Sequence, residues 1–243
     1  MKATPKLLVL PLLAASLALT LGGCASPQSQ ATTLTSANHL KAADLRDQGL
    51  AFITSSSITG QEEDKQAMAL SFANVMHEMR PQLRIMSQAE SLSAINRAGL
   101  ANEYRKMLED YAVTGILNRA TLREVARVTG ARYVAQLKLS GFKQEAKSRF
   151  SALGLRLVET QVTVLRLFLQ IWDSEDGSIV WEGGNELSTA HDSTIASTVA
   201  FKTAIEEAAR NLIDHLPGGT PGHPAVAAAG APGAPAVPSA PSP

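Results

Sequence analysis

Residues 160–189 read TQVTVLRLFLQIWDSEDGSIVWEGGNELST, and the architecture turns on how they pair. Two apolar runs rich in β-branched residues flank Asp176-Gly177, a strong hairpin signal. A two-residue loop at Asp176-Gly177 sets Trp172 opposite Trp181. A four-residue loop, Ser174 to Gly177, pairs Trp172 with Ile179 instead. Both registers are expected to put the two indoles on one face. There they form either a structural clasp, worth roughly 0.2–1 kcal/mol, or a platform on which a sugar or peptide stacks.

Working back toward the amino end, ARYVAQLKLSGF (131–142) alternates Tyr133, Ala135, Leu137 and Leu139 with Val134, Gln136, Lys138 and Ser140. That is the period-two pattern of a half-buried strand. It follows Gly130, which ends a helix over Ala120–Thr129 carrying Leu122, Val125, Ala126 and Val128. Two further helices precede it, one from Ser91 to Ala98 before Gly99 and one from Glu103 to Ala112 ending at Gly115. Earlier still, LAFIT (50–54) and LRIMS (83–87) read as short buried strands. Between them Ala69, Phe72, Ala73, Met76 and Met79 recur at helical spacing until Pro81. Thr59-Gly60-Gln61-Glu62 has capping-box spacing at that helix's start.

Beyond the hairpin, a closing helix is expected from Asp192 or Ser193 to Leu216. Ile195, Val199, Ile205, Ala208, Leu212 and Leu216 line one side, while Lys202, Glu206, Arg210 and Asp214 lie mostly on the other. Pro217-Gly218 ends it. The expected fold is a single α+β domain over 49–216. Its mixed sheet of four to five strands is packed by helices in the order β-α-β, helical insertion, β-β-β-α.

The amino end reads as an address. Lys2 and Lys6 precede an apolar run from Leu7 to Leu19, which stops at Gly22, Gly23 and Cys24. The run is shorter than the roughly 20 residues a spanning helix needs. A basic start, a short apolar core and a small-residue end form a bacterial secretory signal over 1–23.

Leu21-Gly22-Gly23-Cys24 resembles the lipobox of bacterial lipoproteins. The resemblance implies cleavage between Gly23 and Cys24, diacylglycerol on the Cys24 sulfur and acylation of its new amino group. Two acyl chains suffice for stable anchoring, so three would hold the chain durably on a membrane. Ala25 and Ser26 follow with no aspartate second, which in such lipoproteins implies the outer membrane, with the domain on its periplasmic face.

Cleavage takes Lys2 and Lys6 from the 22 basic residues, leaving 20 against 22 acidic ones. That balance offers no electrostatic footprint for nucleic acid. Cys24 is the only cysteine, so no disulfide can form within the chain and an exported domain must stand on its core. Residues 24–48 are expected to hold the lipidated cysteine and a flexible tether, of which 25–38 is small and polar. Residues 217–243, nearly all Pro, Ala, Gly and Ser, are read as a disordered tail with polyproline II character. A Pro-rich ligand for a partner or the cell wall is the sharper alternative.

The element order, with LQIWDSEDGSIVWEGG near its end, resembles the periplasmic domains of the curli-secretion lipoprotein family. It is also similar to the penicillin-binding-protein activator lipoproteins and the amino-terminal domain of TolB. In these an apolar strand ending in Asp, a Gly turn and an IVW-like return strand recur, here from Ile171 to Trp181. The resemblance implies a non-catalytic outer-membrane lipoprotein that binds a protein in the periplasm. One departure stands out. Where the curli protein inserts two long hairpins to make a pore, this chain has only KQEAKSRFSALGLRLVE (143–159). Spanning strands need about 9–11 residues each, and Lys143, Lys147, Arg149 and Arg156 interrupt the segment. It is read as a strand start or a partner-binding edge, with Leu153, Leu155 and Leu157 alternating.

No catalytic constellation is legible. There is no G-x-S-x-G elbow, phosphate loop or H-E-x-x-H helix. His39, His77, His191, His215 and His223 lack metal-ligand spacing. His191-Asp192 is the nearest approach to a pair, but neighbours point apart and Asp192 suits a helix N-cap. Glu159, Asp173, Glu175 and Asp176 read as solvated charges near a turn. The expectation is therefore no catalytic residue, no cofactor and no metal. Cys24 carries the membrane anchor, and the domain serves as adaptor or assembly factor in the cell envelope for a periplasmic protein. Alternatives are a homo-oligomeric component of a secretion or surface apparatus, and a cell-wall ligand-binding or hydrolytic domain.

Overall fold

The computed structural model describes residues 28–152, 155–192 and 197–218, without side chains at 28, 146–161 and 191–200. Gly23, Cys24, the signal over 1–23, the tail beyond 218, Leu153 and Ile195 lie outside the described residues.

The order is β1 (Gln28–Ala37), α1 (Ala42–Gln48), β2 (Leu50–Phe52), β3 (Ser56–Ser57), α2 (Glu62–Met79) and β4 (Ile85–Met86). There follow α3 (Gln88–Arg97), α4 (Ala101–Thr114), α5 (Arg119–Thr129), β5 (Tyr133–Ala152), β6 (Leu155–Asp173), β7 (Ile179–Asp192) and α6 (Ser197–Asp214). The seven strands form one mixed sheet in the order β1-β7-β6-β5-β2-β4, with β3 beside β5. β2 and β3 run parallel to β5, and the long strands run antiparallel to one another. The α+β class is as expected; the sheet is larger.

The extra strand of most consequence is β1. Residues 28–37, assigned by composition to the tether, pair with β7 through ten consecutive positions from Gln28–Ala190 to Ala37–Trp181. Ordering there comes from backbone bonding and from the β-branched Thr32, Thr33 and Thr35, not from apolar burial: most of β1 is exposed. The expectation of a flexible tether across 24–48 is corrected for β1 and for α1, whose Leu45 is buried.

One face of the sheet carries the larger core. Leu165, Leu167, Leu169, Ile171, Trp181 and Leu187 meet Phe72 and Met76 of α2 and Ile205, Ala208 and Leu212 of α6. α2 begins with Glu62, Glu63 and Asp64 in its first turn, where negative charge suits the helix dipole. Its N-cap is Gln61, not Thr59. Thr59 lies in the preceding turn, where its hydroxyl donates to Asp64 at 2.7 Å. A complete capping box occurs instead at α3, where Ser87 and Glu90 bond reciprocally. Gly115 and Gly130 end α4 and α5 in left-handed conformation, the conformation glycine adopts without cost.

Among the described residues, the opposite face is covered only at one end. There Ile95, Tyr104, Met107, Leu122 and Val125 of α3, α4 and α5 pack on Ile53, Val134 and Trp172. Trp172 and Trp181 therefore occupy different cores, correcting the expectation of a shared face. The loop is the four-residue one, and Trp172 pairs with Ile179, but Ile171 pairs with Trp181. Val180 is the extra residue of a bulge, and one extra residue reverses the side every later side chain faces.

Asp192 also moves from its expected role: it closes β7 opposite Thr160, before α6 begins at Ser197. Segment 143–159 continues β5 to Ala152 and, past 153–154, opens β6 at Leu155.

Candidate functional site: an open sheet face

Where α3, α4 and α5 stop, no other described residue covers the second face of the sheet across four strands. Its side chains fall into ranks set by register. Val134, Trp172 and Ile179 form the covered rank. The next is Gln136, Gln170, Glu182 and Ser36; then come Lys138, Phe168, Gly184 and Leu34; then Arg166, Glu186 and Thr32. Period-two alternation puts these residues opposite the buried Leu165, Leu167, Leu169 and Leu187.

Phe168 and Leu34 supply the apolar centre, 39% and 74% exposed. The Phe168 ring lies over Gly184, where an added Cβ would stand 2.6 Å from Cε1. Gly183, on the other face, is covered in the same way by the Trp181 indole. The tandem glycines thus let one aromatic ring rest on each side of β7. Around Phe168 and Leu34 runs a groove of about 620 Å³, walled by β1, β7 and β6.

Polar groups hold the surroundings in place. Arg166 donates to Glu186 at 2.8 Å, an exposed ion pair across β6 and β7. The Tyr111 hydroxyl donates to Gln170 Oε1 at 3.0 Å, and Gln170 Nε2 donates to Glu182 Oε2 at 2.6 Å. Burial, with the Glu182 charge adding to it, pushes the Tyr111 phenol above its ordinary range, so the phenol keeps the proton it donates. Tyr111 also meets Trp172 edge-on, with centroids 6.5 Å apart. A second recess, about 350 Å³, opens between Tyr111 and Phe168.

The carboxylates near the hairpin turn serve structure. Arg132 grips Asp173 through Nε at 3.0 Å to Oδ1 and Nη2 at 2.6 Å to Oδ2, and its Nη2 also meets Glu175 at 3.0 Å. These contacts, Asp173 foremost, raise the Arg132 pKa further. Arg119 and Arg123 both donate to the Glu175 carbonyl, at 2.8 and 2.7 Å. Asp176 accepts from Ser178 N–H and hydroxyl, which lowers its pKa. The backbones of His191 and Asp192 end β7, Glu159 lies in β6, and Cys24 lies outside the described residues. Among the described residues no three His, Cys, Asp or Glu side chains gather closely enough to hold a metal. None of their helices is long and apolar enough to cross a membrane.

Sequence reasoning missed Phe168, Leu34 and Glu182. The signal for Phe168 was present: it is a large apolar residue set between Arg166 and Gln170 on one side of β6. Leu34 had no such context, because its strand was not recognised. The two exposed indole candidates are both buried, Trp172 at 3% and Trp181 at 1% exposure, which removes the stacking platform.

No family model matches the sequence, and no curated protein matches it. Among solved structures the chain is similar to the PelC dodecamer from Paraburkholderia phytofirmans, at 12% identity and a TM-score of 0.42, over 75% of this chain and 97% of that one. It is also similar to lipoprotein GNA1162 from Neisseria meningitidis, at 11% identity and 0.36, over 68% and 97%. The LpoB C-terminal domain from Salmonella enterica shows 16% identity and 0.37, over 62% and 86%. Each likeness concerns the backbone alone, and no function is transferred from it.

Proposed function

We propose that this chain is a non-catalytic, lipid-anchored protein of the cell envelope whose domain binds another protein through the open sheet face. On this reading Cys24 carries the lipid, and the domain lies on the periplasmic side of the outer membrane. One observation carries the binding role: four strands present a face, with Phe168 and Leu34 at its centre, that no helix of the described residues covers. Uncovered apolar surface rimmed by polar side chains marks interaction sites. The lipobox and the near-balanced charge support the anchor and speak against nucleic acid.

Two measurements test this reading. Replacing Cys24 with Ala should leave an uncleaved or soluble species; unchanged membrane partitioning sinks the anchor. A photo-crosslinking residue in place of Phe168, activated in intact envelopes, should capture a protein that a lipidated control does not. If nothing is enriched, the binding role fails.

A homo-oligomeric component of an envelope apparatus is the second reading, favoured by β1. Its outer edge runs ten residues with no charge, no proline and no bulge against β7. Natural edge strands normally carry such devices to prevent pairing with another chain. Light scattering separates the two: a monomer fits the adaptor, and a discrete larger mass fits the assembly component.

A further inference from the structure

The rank nearest the covered end of the open face has a chemistry of its own. Gln136, Gln170 and Glu182 cross β5, β6 and β7 side by side. Tyr111 and Phe168 stand at the borders of the recess above them. Gln170 is fully engaged, accepting from Tyr111 and donating to Glu182. Two acceptors have capacity to spare. Gln136 is 3% exposed, and its Oε1 has no donor. Glu182 has only the neutral Gln170 beside it, and no Lys or Arg nitrogen among the described residues lies within ion-pairing distance.

The neighbouring charges do not supply that partner. Arg166 is committed to Glu186. Lys138 is exposed in the next rank, on β5, two strands and one rung from Glu182. Lys138 also lines the recess, but no ion pair joins its ammonium to Glu182 among the described residues.

An unpaired buried acceptor costs free energy until a donor arrives. A visiting apolar side chain would leave Gln136 Oε1 without a donor and the Glu182 charge without a counter-ion, and a carboxylate would face Glu182. The group that satisfies all four features is flat, cationic and rich in donors. A guanidinium lies against aromatic rings and presents several N–H groups in one plane, while an ammonium is a compact, strongly hydrated point charge.

The geometry points to this recess as the receptor for an arginine side chain of the partner protein, with Phe168 and Tyr111 flanking the guanidinium while Glu182 and Gln136 Oε1 accept its hydrogens. This deepens the binding role proposed for the open face and rests on it.

The test titrates the full chain with three blocked tripeptides, Ac-Ala-Arg-Ala-NH2 and its lysine and glutamine counterparts. Binding is followed through the side-chain amide resonances of Gln136 and Gln170. The arginine peptide should shift both saturably, at least about tenfold more tightly than the glutamine peptide. Glu182→Gln keeps the size of the side chain and a contact to Gln170, and should weaken arginine binding about tenfold. Phe168→Ala should weaken it several-fold. Equal shifts from the arginine and glutamine peptides, or an unchanged titration in Glu182→Gln, overturn the assignment. Crosslinks at Phe168 that persist alongside such a result leave the protein-binding role standing and remove only the arginine pocket. If Glu182→Gln changes only the sedimentation of the chain, the arginine belongs to a second copy and the partner assignment fails.

Discussion

Phe168 covers Gly184 from the neighbouring strand so closely that a Cβ at position 184 would meet its ring at 2.6 Å. The same β7 residue pair sets Gly183 under Trp181 on the buried side. The two glycines differ in what can yield. Phe168 borders open space and can swing away, whereas Trp181 is enclosed. Gly183→Ala is therefore expected to cost about 1–3 kcal/mol through overpacking, and Gly184→Ala well under 1 kcal/mol. Urea denaturation of the two variants measures the difference. Equal losses would mean that the open face is as tightly packed as the core.

The two indoles divide the stability of the hairpin between separate cores. Trp181→Ala removes a fully buried ring from the larger one and should cost about 3–5 kcal/mol. Trp172→Phe is expected to cost under about 1.5 kcal/mol, because the Trp172 Nε1–H is buried without an acceptor and its loss forfeits no hydrogen bond. The same denaturation measurements test both, and a Trp172→Phe loss as large as that of Trp181→Ala would contradict the assignment.

Much of this was legible in advance for a physical reason. Gly115, Gly130 and Pro81 stop helices by backbone chemistry that acts locally, and the alternation of Tyr133 to Leu139 needs only one covered face. The bulge at Val180 was not legible, since it satisfies two cores at once and nothing nearby demands it. β1 left no pattern because its pairing is a gain of backbone bonds with few apolar contacts. The open face was hidden for a related cause: its extent depends on where α3, α4 and α5 end in space, which no local signal encodes.

The capping box at α3 should make stability depend on acid. Ser87 N–H and hydroxyl both donate to Glu90, at 2.8 and 2.7 Å, and these bonds hold the Glu90 carboxyl below its ordinary value of 4.5. A depressed folded pKa gives stability that is full above the unfolded value and lost as pH falls through the folded one. The site is exposed, so the effect is a few tenths of a kcal/mol. The gap between the parent chain and Glu90→Gln should be present at pH 7 and close below about pH 4. Ser87→Ala should cost about 1 kcal/mol at neutral pH. Thermal unfolding across pH 3–7 reads both, and a gap that widens toward acid would contradict the mechanism.

Arg80 ties the end of α2 to the end of α6. Its guanidinium donates to the carbonyls of Leu216 at 3.0 Å and Gly218 at 2.5 Å, with Ile213 at 3.4 Å. Burial lowers its pKa, opposed by the nearby Asp214 charge. Charge-assisted bonds of this kind contribute about 1.5–3 kcal/mol, and a helix end needs its carbonyls satisfied. Arg80→Met should destabilise the fold by about 2–3 kcal/mol and raise hydrogen exchange in the last turn of α6 first. Lysine at the same position offers a point charge without the fork, so Arg80→Lys should recover only part of the loss. Exchange that rises uniformly across the domain would argue against a local clamp.

Leu34 separates folding from association. It is 74% exposed at the middle of β1, so Leu34→Lys removes little buried surface, and surface changes of this sort usually stay within about 0.5 kcal/mol. The same substitution puts a charge into the uncharged edge strand and into the groove beside Phe168, where desolvating it against another protein is unfavourable. Stability should therefore hold while crosslinks from the open face fall several-fold. If the chain forms a discrete oligomer through β1, its mass by light scattering should drop with the same variant. Because folding is unchanged in either case, a loss of both readouts assigns the strand and its groove to one interface. Retention of both would place binding elsewhere on the domain.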